Sequence, residues 1–152
     1  MVNDQGLYQA SLSEGKVSPT RSYQLGSLFY VAFFGGVIAL TVLAVKNAKS
    51  LQLNNNVVRL MIILGALVLV GKIIFYYAFF QDMIHIEQRY IRYLARAAEI
   101  ALFGGFYYLM KDAFQRHMLL HGETDKLLKE GIIWCLVSAL VEGIIIFTLA
   151  AL

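Results

Sequence analysis

The sequence predicts an all-α integral membrane protein: a four-helix bundle behind a short polar N-terminal tail. Three observations carry that expectation. Apolar residues make up 59% of the 152 positions and charged residues 15%, against about 45–50% and about 25% in soluble domains. The apolar residues fall into four long runs, each close to the length that crosses a hydrocarbon layer. The formal charge of +3 is scattered, with no block of like charge. That excludes a nucleic-acid-binding arm and fits basic residues flanking membrane spans.

The elements follow in order. Residues 1–22 are polar, hold the sole proline, Pro19, and lack the apolar core and cleavage site of a signal peptide. They are expected to be a tail before a transmembrane unit over residues 23–152. Span one, about 25–45, carries no charge, and a layer about 30 Å thick needs about 20 residues. Asn47 and the Asn54–Asn55–Asn56 run break the pattern and mark a first loop. Span two, about 60–80, is interrupted only by Lys72, and span three, about 94–110, carries Arg96 and Glu99 in its first two turns. After Met110 the chain continues as a helix that leaves the bilayer. Gly122 then supplies a stop, and Thr124 is a candidate N-cap for a helix starting at Asp125, whose charge suits the helix dipole. Span four, about 132–152, holds Glu142.

Basic residues set the expected orientation. Loops one and three hold Lys46, Lys49, Arg59, Lys111, Arg116, Lys126 and Lys129; the tail and loop two hold Lys16, Arg21, Arg89 and Arg92. The excess places loops one and three in the cytoplasm and both termini outside. Tyr76, Tyr77, Tyr90 and Tyr93 mark one interface; Tyr107, Tyr108 and Trp134 mark the other.

Charges within the spans are the candidate functional residues. Each costs about 2.5–3.5 kcal/mol to place at a span centre, so such residues face inward and pair. At about 1.5 Å per residue, Lys72 lies roughly 12 Å and Glu99 roughly 8 Å from the same loop, on consecutive antiparallel helices. A Lys72–Glu99 ion pair is expected, with Arg96 in the same network. Glu142 lies deeper and is left without a charged partner. It is expected to be protonated or hydrogen-bonded to Ser138, within a structural network. The sharper alternative is that Glu99 and Glu142 titrate on a proton or cation path.

Helical phase supplies the packing surfaces. Glu99 shares a face with Arg92, Arg96, Phe103 and Phe106, opposite a stripe of Ala97, Ala101, Gly104 and Gly105. Small residues let helices approach closely. Span three is therefore expected either at the centre of the bundle or against another subunit. Ala32, Gly35, Gly36 and Ala39 give span one a similar surface, and Glu142 shares a weakly polar face with Gly131, Cys135, Ser138 and Ala139.

Other motifs carry less. His117 and His121 stand four apart on a helix, but no zincin glutamate lies between them, and two solvated histidines are the simpler reading. Membrane haem would need histidines within the spans; His85, His117 and His121 all fall outside. Arg89, Arg92 and Arg96 suit snorkelling where a helix meets the interface. The lone Cys135 excludes an internal disulfide. No metal or cofactor is expected.

Val17-Ser18-Pro19, then Phe34-Gly35-Gly36, then Lys46-Asn47 and Leu51, resembles the opening of small uncharacterised bacterial multi-span membrane proteins. The resemblance covers the first third and implies a bacterial inner membrane without implying an activity. The expected function is a non-enzymatic accessory or partner-binding subunit, homo-oligomeric or within a larger membrane complex, with lipid as its surroundings. An oligomeric proton or cation conductor is the alternative, and a membrane immunity protein against a toxin is the third.

Overall fold

The computed structural model describes residues 22–119 and 124–151. Residues 1–21, including Lys16, Pro19 and Arg21, residues 120–123, including His121 and Gly122, and Leu152 lie outside the described residues. The described chain is all-helical apart from two short strands. It comprises β1 (Ser22–Tyr23), α1 (Ser27–Ser50), α2 (Asn55–Phe80), α3 (Gln88–Leu119), β2 (Thr124–Asp125) and α4 (Leu128–Ala150). Helices α1, α2 and α4 are long and apolar enough to cross a membrane.

Each helix outruns the apolar run that announced it. Helix α2 starts at Asn55 because the Asn54 side chain accepts a hydrogen bond from the Asn56 amide at 3.1 Å, an N-cap. Helix α3 begins ahead of Arg89 and continues to Leu119, so the arginines lie inside a helix. Thr124 is not the cap of α4. It pairs with Ser22, and Asp125 with Tyr23, in a parallel two-residue bridge. Leu127 stands at the cap position without a side-chain bond, and Glu130 is the acidic residue of the first turn.

The largest departure from expectation is α1. The Tyr23 amide donates to Asn47 Oδ1 at 2.7 Å, and Asn47 Nδ2 donates to the Tyr23 carbonyl at 3.2 Å. A straight helix would hold these two residues about 36 Å apart. The chain instead reverses at Gly36, whose φ of 73° and ψ of −170° break the helix. That backbone region is essentially open to glycine alone. Helix α1 is therefore a hairpin of two half-helices, 27–35 and 37–50. Asn47, expected to mark a loop, is buried within the second half because the returning strand gives its amide partners.

The hairpin is the core. Just over half of its apolar stretch is buried, against 17% for α2 and 6% for α4. It packs against all three other helices, whereas α3 and α4 barely touch each other. Phe29 meets Phe103 of α3 edge-on, and Val31 faces Gly131 of α4. Thr41 of the second half presses so closely on Gly65 of α2 that no β-carbon would fit there. The central element is thus α1, not the third span. Ser22, the first described residue, lies at the end of the molecule that carries the α1–α2 and α3–α4 connections, opposite Ala150.

Candidate functional site

The charged side chains predicted as a network converge beneath the hairpin turn. Lys72 of α2 extends its Nζ between two carboxylates, 2.6 Å from Glu99 Oε1 on α3 and 2.5 Å from Glu142 Oε2 on α4. Arg96, one helical turn before Glu99, donates to Glu99 Oε2 at 2.9 Å. The expected Lys72–Glu99 pair forms. The expectation that Glu142 lacks a charged partner is corrected: Lys72 is long enough to serve both acids, because the hairpin stops short and leaves them side by side.

Glu142 does a second thing. Its Oε1 accepts from Ser138 Oγ at 3.1 Å and lies 3.4 Å from the Ile38 amide; Ser138 Oγ in turn accepts from the Ala39 amide at 3.3 Å. Ile38 and Ala39 open the second half-helix, where amides have no partner within the helix. A carboxylate there satisfies them and faces the positive end of the helix dipole. Glu142 and Ser138 therefore cap a helix that begins inside the protein.

Two bases and two acids make up the cluster, so its formal charges cancel. Burial is graded: the side chains of Glu99, Glu142 and Lys72 are 1%, 10% and 14% exposed, and that of Arg96 is 47%. Arg96 lies over the Phe33 ring of the first half-helix, 5.9 Å from its centroid. A small apolar pocket of about 10 Å³ between α2 and α4 is lined by Lys72, Tyr76, Glu142 and Ile146.

The four small residues assigned to span one are all buried. A β-carbon on Gly36 would stand 2.5 Å from Glu142 Oε1, and one on Gly35 would stand 2.6 Å from Cys135 Sγ. The stripe on α3 differs. Ala97, Ala101, Gly104 and Gly105 all face outward, and a β-carbon on either glycine would meet nothing within 4 Å.

A second polar group, missed in the sequence, ties the hairpin's open end. The Tyr23 hydroxyl donates to Glu130 Oε2, which also binds Lys46 Nζ at 2.5 Å. Burial raises the Tyr23 phenol above its usual range, and the Glu130 carboxylate raises it further. The signal was present as Asn47 and Lys46 next to an apolar run, but it needs the reversal to become visible. An apolar groove of about 840 Å³ runs beside it, between the first half-helix and α4, with Lys126 at its mouth and Phe34 and Leu136 along it.

Among the described residues no three histidine, cysteine, aspartate or glutamate side chains gather as metal ligands. No known protein family, curated protein or solved structure matches this chain.

Proposed function

We propose that the chain is a non-enzymatic subunit of a bacterial cytoplasmic membrane that works by helix association, with a second copy of itself as partner. The observation that carries this reading is the outward face of α3. Ala97, Ala101 and Gly105 repeat every four residues, with Gly104 beside them and exposed Tyr93 and Tyr108 at either end. Lipid makes no demand for small side chains, whereas a second helix approaching closely does. The separation from Tyr93 to Tyr108, about 22 Å along a helix, suits an aromatic belt at both interfaces. The charge-balanced cluster behind this face holds the hairpin rigid. An Ala101→Cys variant in a Cys135→Ser background is expected to give a disulfide-linked homodimer in native membranes. A crosslink only to a different protein would replace self-association with docking to a larger complex, and monomer alone would defeat both.

Orientation follows from the reversal. Among the described residues, the end bearing the connections carries Lys46, Lys49, Arg59, Lys111, Arg116, Lys126 and Lys129, and the other end carries Arg89, Arg92 and Arg96. We place the first end in the cytoplasm, with the N-terminus inside and the C-terminus outside. An alkaline phosphatase fused after Leu152 is expected to be active.

A conductor of protons or cations is a second reading, favoured by the broken helix above paired acids. Broken half-helices that end on charged groups build ion sites in transporters. Flux in proteoliposomes that survives Glu99→Gln with Glu142→Gln would rule it out.

A further inference from the structure

The two carboxylates that share Lys72 are not equivalent. Glu99 is bound by two cations, Lys72 and Arg96, and is almost fully buried. Glu142 has one cation, Lys72; its other partners, the Ser138 hydroxyl and the Ile38 amide, are neutral. Its side chain is more exposed than that of Glu99, and it lines the small pocket between α2 and α4. Neutralising Glu99 would leave Arg96 without an anion, whereas neutralising Glu142 leaves both cations paired through Glu99.

Glu142 is also the group that joins the hairpin turn to α4. The groups facing it are the Ile38 amide from α1, Lys72 and the pocket's Tyr76 from α2, Ser138 from α4, and Glu99 with Arg96 across Lys72 from α3. Among the described residues, side-chain hydrogen bonding between the turn and its surroundings runs through this carboxylate and the Ser138–Ala39 bond.

We propose that Glu142 is a proton-binding site that latches the hairpin. A proton taken from water forms an O–H bond on Glu142 Oε2. Lys72 keeps its own protons, stays charged and passes wholly to Glu99. The neutral acid no longer holds the positive end of the second half-helix by charge. The turn at Gly36 is then free to leave α4, and the packing of the hairpin against α4 loosens. The outcome is a membrane subunit whose core loosens when Glu142 takes up a proton.

The chain carries its own reporter. Cys135 is its sole cysteine, and its sulfur lies against Gly35 at the turn. The experiment alkylates Cys135 with a small maleimide in the purified full-length chain. Each rate is divided by that of the unfolded chain at the same pH, which removes the thiol's own ionisation. The range from about pH 8 to about pH 4 covers carboxylate titration. The wild-type ratio is expected to rise about tenfold on acidification, as loss of one charge-assisted hydrogen bond raises the open population. Glu142→Gln is expected to show the high ratio throughout. Lys72→Met, which takes the cation from Glu142, moves the rise to higher pH. Glu99→Gln, which leaves Lys72 to Glu142 alone, moves it to lower pH. A flat wild-type ratio overturns the proposal, as does a Glu142→Gln chain that keeps the wild-type pH dependence. Should Glu142→Gln lack native helical content, the opposed shifts of the other two variants decide, and shifts that coincide or vanish refute the latch.

Discussion

Replacing Gly36 with alanine tests the hairpin directly. At φ 73° and ψ −170°, a residue with a β-carbon sits in a region that costs about 1–3 kcal/mol. The new carbon would also stand 2.5 Å from Glu142 Oε1, so the carboxylate must withdraw from the Ile38 amide and the Ser138 hydroxyl. A hydrogen bond to a charged group is worth about 1.5–3 kcal/mol, and losing even one brings the total to about 3–6 kcal/mol. Gly71→Ala and Gly143→Ala are the controls. Each lies in a regular helix with nothing within 4 Å of the added carbon, and each should gain about 0.5–1 kcal/mol in helix stability. Titration of helicity with sodium dodecyl sulfate in mixed micelles measures the difference. Gly36→Ala should unfold at a clearly lower detergent fraction than wild type, and the controls at the same fraction or higher. If Gly36→Ala falls within about 1 kcal/mol of Gly71→Ala, the reversal at Gly36 is not the native fold.

Other consequences can be measured separately. Spin labels at Gln24 and Lys49, both exposed, in a Cys135→Ser background should lie within about 20 Å of each other, whereas a straight helix would separate them by about 37 Å. Lys72→Met strands the buried Glu142 and leaves Glu99 to Arg96 alone, and should cost about 3–5 kcal/mol. The triple change Lys72→Met, Glu99→Gln, Glu142→Gln should recover part of that loss; no recovery in the same micelle titration would show that the charges are not coupled. Tyr23→Phe should cost about 1 kcal/mol. Because the folded phenol titrates above its usual value of 10.0, its contribution is complete below that pH and is lost as pH rises through the higher folded value. Wild type should therefore lose its advantage over Tyr23→Phe in strong alkali, and an advantage that persists there would exclude the hydroxyl as its source.

Much of this arrangement was legible in the residues, and the rest failed for identifiable reasons. Long apolar runs announce helices because composition and length alone decide that question. Lys72 and Glu99 could be paired from depth and phase, since both quantities follow from helix rise on neighbouring elements. The hairpin could not be read the same way. Gly35-Gly36 within an apolar run serves equally well as a close-packing surface or as a break, and nothing local separates a glycine that packs from one that turns. What decides it lies far along the chain, in Ser138 and Glu142, which supply acceptors for the amides that the break leaves bare. Missing the turn then propagated. Asn47 was therefore expected in a loop, and Glu142, judged from its depth in the fourth span alone, was left without the cation that Lys72 supplies.

The reversal also explains why three charged residues tolerate so apolar a setting. With a straight first span, four helices would close around a dry interior, and Lys72 would have to choose between Glu99 and Glu142. With α1 turned back at Gly36, Lys72 reaches both acids. The hairpin in turn depends on the cluster, since its second half-helix starts at depth with bare amides, and Glu142 and Ser138 are the groups that meet them. Each arrangement would be unstable alone: a buried helix start without acceptors, or two buried acids around a single lysine without a fourth partner. The coupling makes Glu142 the residue through which turn, helix start and charge balance all change together.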